Sequence, residues 1–468
     1  MKPYPEYKES GIEWLGKIPK QWKIRRLKTT ILGCINGIWG DEADGENDVP
    51  CIRVADFNRT NFSVNTNNLT LRAIKEKDKS NRILNNGDLL IEKSGGGDLQ
   101  PVGAVVIYDH NFEAVSSNFI ARMPVQGNIN SRFLCYMHAH LYSNRVNTRS
   151  IKQTTGIQNI DQEAYLNESV CIPLLHEQHT IAAYLDRETS RIDTLIAKKQ
   201  RQIELLQEKR FALISHVVTK GLPAEALAKA GLDPDVKLKD SGVEWLGEVP
   251  EHWEVVRLKN VVSLINEKVI GNTSNLRYIG LENIKSWYGK LVGTNDEINP
   301  EGQANTFQEG DVLFGKLRPY LAKVLCVNYW GMCTSELLVL RPLNINQQYL
   351  FYLLLSPNFI NLVDSSTYGA KMPRANWDFI GNIDIPIPSL NEQSIISKHL
   401  DEETKLIDNL IDKINHSIDT LREYRTALIS VAVTGKIDVR DEVEPAERGE
   451  EVRIAAEPER EYHPGKSR

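Results

Sequence analysis

The stretch PSLNEQSIISKHLDEETKLIDNLIDKINHSIDTLREYRTALISVAVT, Pro388 to Thr434, decides how the rest of the chain is read. Leu400, Ile407, Ile414, Leu421 and Leu428 recur every seven residues, and Ile411, Ile418 and Val431 add neighbouring positions of the same apolar stripe. Such a heptad stripe is a coiled-coil seam, since an underwound helix keeps every seventh side chain facing a partner. The stretch Pro173 to Thr219 repeats it, with Leu185, Ile192, Leu206 and Leu213 on the matching positions and a departure only at Lys199. Both copies open alike at Glu177-Gln178 and Glu392-Gln393, and both close on Ala-Leu-Ile-Ser, at Ala212 to Ser215 and Ala427 to Ser430. The chain is an internal duplication.

Working outward, a second element also occurs twice. Lys8 to Lys28 reads KESGIEWLGKIPKQWKIRRLK and Lys239 to Lys259 reads KDSGVEWLGEVPEHWEVVRLK, identical at twelve of twenty-one positions. Trp14, Leu15, Pro19 and Trp22, matched by Trp245, Leu246, Pro250 and Trp253, form an apolar clip that leads a turn into a first strand. Two large rings so close in sequence favour packing over ligand stacking. Between clip and long helix, short strand-like runs (Val49 to Val54, Asp88 to Ile91, Val102 to Tyr108) precede a helix over Ser131 to Asn144. The second half keeps that order with Leu276 to Leu281, Asp311 to Phe314, Leu321 to Val327 and a helix over Gln347 to Ser356, but few residues correspond.

The expected fold class is α+β: two pseudo-twofold-related α/β domains separated by two long helices that form an antiparallel coiled coil. Its expected parts are a first globular domain over 1–172, a first helix with linker over 173–238, a second globular domain over 239–387, a second helix over 388–436 and an acidic tail over 437–468. Each helix has about 40 residues and spans roughly 60 Å, so its stripe must be covered, and the other copy is the nearest partner. An antiparallel pair would put one globular domain at each end of a rigid spacer. Such an object suits a two-part target on duplex DNA, although a coiled-coil scaffold for protein partners fits the pattern equally well.

Bulk numbers narrow the classes. A chain of 468 residues exceeds one ordinary core, so two or more domains are expected. It has no apolar run of about 18 residues and its start is polar, which points to a cytoplasmic protein rather than a membrane or secreted one. Cys34, Cys51, Cys135, Cys171, Cys326 and Cys333 are scattered with no CxxC pair, so neither a zinc ribbon nor a disulfide framework is indicated. The net charge of -6 argues against a uniformly basic nucleic-acid binder. Part of that charge sits in the tail, where Asp441 to Arg468 carries nine acidic against five basic residues and has the composition of a disordered segment. Any DNA-binding surface must then be a local patch.

The ordered duplication resembles the specificity subunit of type I restriction-modification systems. The residues that carry the resemblance are the paired SG(I/V)EWLG..P..W clips, the loops GDLLIEKSGGG and GDVLFGKLRPYLAKV, the segments Thr155 to Asn159 and Tyr368 to Lys371, and the helix starts IPLLHEQ and IPSLNEQ. It covers the chain except the tail after Lys436, to which it gives no role. The resemblance implies that each globular domain is a target recognition domain reading half of a bipartite double-stranded DNA sequence. It also implies that the helices hold the half-sites apart and dock two methyltransferase (modification) subunits, which restriction subunits join. S-adenosylmethionine, ATP and magnesium would serve those partner subunits, with no cofactor in this chain.

No catalytic constellation is apparent. Gly95-Gly96-Gly97 lacks the Gly-Lys-Ser/Thr of a phosphate loop, and no Asn- or Asp-Pro-Pro-aromatic run is present. His176 and His179 lack companions at ligand spacing, and His138 and His140 lie on different faces of their helix. DNA contacts are expected where cationic, amide and aromatic groups flank glycine on loops. In the first domain these are Lys93, Ser94, Gln100, Lys152, Thr154, Gln158 and Asn159; in the second, Lys316, Arg318, Tyr320, Lys371 and Arg374. Guanidinium forks suit guanine edges, amides suit adenine and ammonium groups suit phosphate; read individually, each is as readily a solvated loop residue. The classes left open are a non-catalytic recognition subunit, a stand-alone methyltransferase or nuclease, and a protein-interaction scaffold.

Overall fold

The computed structural model describes residues 2–154, 156–270, 276–293, 302–369 and 371–442. Thr155, Ala370 and the acidic tail from 443 onward lie outside the described residues, as does the side chain of Thr154. The chain divides into two compact units, Met1–Lys198 with Ser417–Arg468, and Lys199–His416. Each contains one globular domain and parts of both long helices.

In the first unit the clip strand Lys23–Arg26 pairs antiparallel with Ser169–Ile172, the strand that leads into the long helix. In the second, Glu254–Arg257 pairs in the same sense with Asp384–Ile387. The clip tryptophans Trp22 and Trp253 are fully buried, as their spacing with Leu15 and Leu246 led us to expect. Trp253 Nε1 donates to Glu392 Oε1 at 2.9 Å.

Each globular domain is built on a four-stranded sheet of one topology. The first runs Val105–Tyr108, Asp88–Glu92, Ile120–Met123, Ile35–Asn36; the second runs Val324–Cys326, Val312–Gly315, Leu337–Pro342, Val262–Ile265. The shared Gly-Asp step before the central strand has a structural cause. Gly87 and Gly310 each take a φ of 92°, which costs glycine least. The buried aspartate then accepts from the backbone three residues earlier and pairs with an arginine, Asp88 with the buried Arg122 at 2.6 Å and Asp311 with the half-buried Arg341 at 2.8 Å. The second sheets differ: the first unit orders Val115–Ser116, Asp48–Ile52, Thr70–Ala73, Asp41–Glu42, whereas the second orders Lys268–Ile270, Gln303–Phe307, Gly331–Cys333, Arg277–Ile279. The peripheral layer has drifted while the central one has not.

Four of the helices carry the architecture: α1 (Ser131–Ser143), α2 (Leu175–Lys220), α3 (Gln347–Leu355) and α4 (Leu390–Val433). In the first unit Leu185 and Ile192 of α2 share a core with Leu428, Ile429 and Val433 of α4. In the second, Ile214 and Val217 of α2 share a core with Ile396 and Leu400 of α4. The opening half of α2 therefore meets the closing half of α4, and its closing half meets the opening half of α4, which is the antiparallel pairing the heptads require. Crossed ion pairs say the same: Asp193 of α2 takes Arg425 of α4 at 3.0 Å, and Arg210 of α2 takes Asp408 of α4 at 3.1 Å. Ile407 is buried on this seam, while Leu206, Leu213, Ile414 and Leu421 are half-buried. Lys199 is half-buried at its heptad position.

Candidate nucleic-acid interface

The platform that carries the loops is the same in both units. Gln178, near the start of α2, accepts from the backbone N of Asn130 at 2.8 Å and donates to Pro173 O at 3.0 Å. Gln393, near the start of α4, accepts from Asn346 N at 2.7 Å and donates to Pro388 O at 2.8 Å. Asn130 and Asn346 are in turn the N-caps of α1 and α3. One turn or two further along, Tyr136 donates to Asp186 and Tyr352 to Asp401, each at 2.6 Å, with Thr189 and Thr404 alongside. These contacts explain why Glu-Gln recurs after each proline: the glutamine ties the globular domain to the helix.

On the second platform the structure gathers the predicted cations. The segment after Gly315 runs beside the strand-like turn at Arg374: Ala375 N donates to Lys316 O at 2.9 Å, Arg318 N donates to Pro373 O at 2.8 Å, and Tyr368 and Arg374 form a bridge. Lys316, Arg318, Tyr320, Lys371 and Arg374 therefore belong to one loop cluster. Arg318 and Lys371 are exposed, Lys316 is half-buried, and Tyr320 is 46% exposed. Among the described residues no carboxylate pairs with Lys316, Arg318 or Lys371, whereas Arg374 is held by Glu336 at 3.0 Å, a hydrogen bond that keeps its guanidinium firmly charged. Two exposed side chains outside the expected contact set, Tyr368 at 65% and Met372, join the cluster. Residue type alone could not separate them from core residues.

The first platform carries a different chemistry. The hairpin Ile151–Thr154 with Ile157–Ile160 adds Ser94–Gly95 as a third strand, so Ser94 sits opposite Asn159 and donates to its Oδ1 at 2.6 Å. Lys93 donates to Asn36 Oδ1 at 3.0 Å, and Gln100 is exposed beyond the triple glycine. Lys152 is exposed but pairs with Asp161 at 2.6 Å; that hydrogen bond raises the lysine and lowers the aspartate relative to their ordinary values. Gln158 departs from the expectation of a base reader. It is 6% exposed and its Oε1 accepts from Val102 N at 3.2 Å, because the strand alternation turns it inward. Beside Ser94 a cleft of about 470 Å³ is lined by Trp39, Arg53, Glu92, Gly95 and Phe119. Its rim carries two part-exposed rings, Trp39 at 37% and Phe119 at 45%, that the sequence reading did not single out.

The histidines take structural places. His138 is buried with its Nδ1 2.7 Å from the Tyr165 hydroxyl, and His140 is buried beside Asn144. Burial pushes His138 down to about 3 and His140 to about 4. His179 lies against Asn130 at 3.0 Å and His176 is exposed. Among the described residues no group of three or more metal-ligating side chains occurs, and no helix is long and apolar enough to cross a membrane.

A platform made twice, each time with its own loops, can be compared with known proteins. The family described as type I restriction modification DNA specificity domain matches twice, over residues 36–205 and 250–419. The chain belongs to that family. As a type I specificity subunit it is similar to the MjaVIII specificity subunit of Methanocaldococcus jannaschii, 26% identical over 310 residues that cover 63% of this chain and 68% of that protein. It is also similar to the MjaIX specificity subunit of the same organism, 24% identical over 467 residues that cover 93% and 97%. A solved structure from a study of complex assembly and conformational transition of the type I R-M system shares the fold, with a TM-score of 0.59 and 15% identity over 90% of this chain and 99% of that one.

Proposed function

We propose that this specificity subunit reads a bipartite double-stranded DNA target, one half-site per globular domain, and has no catalytic activity of its own. The observation that carries the reading is the contrast between repeated supports and unlike loops. The Gln178 and Gln393 ties repeat almost bond for bond, while the loops they support present amides and hydroxyls in one unit and, in the other, cations of which only Arg374 has a carboxylate partner among the described residues. A device selected to read two different sequences would keep the first and vary the second. Lys93, Ser94, Gln100, Lys152, Thr154 and Asn159 form the first proposed contact set, and Lys316, Arg318, Tyr320, Lys371 and Arg374 the second. Burial removes Gln158 from the first set.

In this reading the paired helices set the gap between half-sites and dock two methyltransferase subunits, which restriction subunits join. Leu195, Leu205, Leu406, Leu410 and Tyr424 are exposed on these helices, which supports a protein-binding role. S-adenosylmethionine, ATP and magnesium would act on the partner subunits, within the cytoplasm where those subunits meet DNA.

Deleting seven residues within Arg191 to Gln207 tests this division of labour, because one heptad is removed without changing which face meets the partner. Methylome sequencing of cells carrying the variant and its modification partner should report the same half-sites with a changed gap. An unchanged gap with new base preferences would overturn the reading. Turnover by the purified chain alone with DNA, S-adenosylmethionine, ATP and magnesium would replace it with that of a stand-alone enzyme.

A further inference from the structure

Two buried arginines do more than either base reading or seam packing requires. Arg210 of α2 and Arg425 of α4 occupy matching heptad positions, 3% and 9% exposed, where an apolar side chain would fill the seam at less desolvation cost. Each pairs with a carboxylate on the other helix, as described above, and each also reaches out of the helix pair to a loop of its own globular domain. Arg210 Nη1 donates to Trp287 O at 2.9 Å, and its guanidinium lies 5.0 Å from the Tyr288 ring. Arg425 Nη2 donates to Thr60 O, and its guanidinium lies 5.3 Å from the Phe62 ring. The receiving loops share an uncommon backbone: Phe62 has a φ of 58° and Trp287 a φ of 67°, the left-handed region that large side chains avoid. Strained backbone of this kind persists only where its surroundings hold it.

We infer that Arg210 and Arg425 are positioning residues that lock each globular domain at one angle on its helix pair, and so determine how strictly the gap between half-sites is enforced. This rests on the bipartite reading above. The two locks are unequal. Both have extra ties, Asp408 to Lys290 at 2.7 Å and Gln207 to the Tyr288 hydroxyl at 3.3 Å in the second, and Arg132 to Asn61 O at 3.0 Å and to Asp186 of α2 at 2.6 Å in the first, so the difference lies in the packing around them. The first has a cavity of about 190 Å³ beside it, lined by Arg59, Phe62, Tyr142, Arg425 and Ile429. Loosening should therefore be greater in the first unit.

The test uses the full chain assembled with its modification subunits. Arg425→Lys and Arg210→Lys keep the charge for the facing aspartate but lack the fork that serves carboxylate and carbonyl at once. Phe62→Gly and Trp287→Gly relax the loop and leave both members of each ion pair in place, the first also removing the ring beside Arg425. Each complex is given duplex pools varied in gap length or in half-site sequence, and adenine methylation is read by sequencing. R425K and F62G should keep both half-sites while methylating targets one base pair off the parental gap about tenfold more, relative to the favoured gap; R210K and W287G should do so less. An equal loss at every gap length would make these residues merely stabilising, and altered half-sites would make them base readers; either overturns the inference. If the parent methylates gapped targets and the variants stay as strict, this inference alone falls. A parent with no gapped target would remove the bipartite reading and this inference with it.

Discussion

The loop cluster around Arg318 and the hairpin behind Ser94 stand on matching platforms yet offer opposite chemistry. The first exposes cations that no described carboxylate neutralises, together with Tyr320 and Tyr368. The second turns its cations toward local oxygens, Lys93 to Asn36 and Lys152 to Asp161, and lines a cleft with Ser94 and part-exposed rings. Divergence in a duplicated protein concentrates where side chains face outward, while the contacts that hold the platform are retained because each closes a buried polar group.

The likeness of the supports can be challenged hardest at the clips. Trp22→Ala and Trp253→Ala should each cost their unit about 3–5 kcal/mol in urea unfolding, from the lost ring and the cavity it leaves. The second should cost about 1 kcal/mol more, because it also breaks the bond to Glu392. Strongly unequal costs in the other direction would break the equivalence.

Acid sharpens the difference between the units. His138 and His140 are held neutral by burial, with values of about 3 and about 4, whereas the matching helix α3 has no histidine. Below about pH 6.5 the unfolded chain takes up protons that the folded first unit refuses, so that unit is fully stable above this pH and weakens as pH falls toward 4. Each histidine contributes roughly 1.4 kcal/mol per pH unit in that window. Hydrogen exchange followed from pH 7 to 5 should show the first unit opening before the second, and His138→Gln with His140→Gln should flatten the trend.

At the loops, Arg318→Ala should relax preference at one half-site by about 1–3 kcal/mol per base read, measured as relative methylation of single-base variants. Lys152→Ala should have the smallest effect. It should weaken binding equally across sequences and lower the salt dependence of binding by roughly one phosphate contact.

Much of the fold was legible from the sequence. Leu400 to Leu428 announced a seam by period alone, and Glu177-Gln178 and Glu392-Gln393 marked both helix starts, although the glutamines' role in holding Asn130 and Asn346 depends on contacts distant in the chain. Arg210 and Arg425 carried a signal that went unread: the same charged residue at the same apolar register in both copies. The candidate site was less legible. Lys316, Arg318, Lys371 and Arg374 could be assigned to loops because glycine and proline interrupt the pattern there, but that the two segments lie side by side depends on contacts distant in the chain. Gln158 was misassigned, because a hairpin's alternation decides which amide faces inward, and Trp39, Phe119 and Tyr368 are exposed for reasons that reside in the packing around them.

Adenine methylation made by the assembled complex of this chain and its modification subunits, mapped for the parent and for Arg318→Ala combined with Lys371→Ala, shows whether one globular domain reads one half-site. A gapped two-part motif in the parent, with one part relaxed and the other untouched in the variant, is the predicted result. A contiguous motif, or relaxation of both parts together, would contradict it.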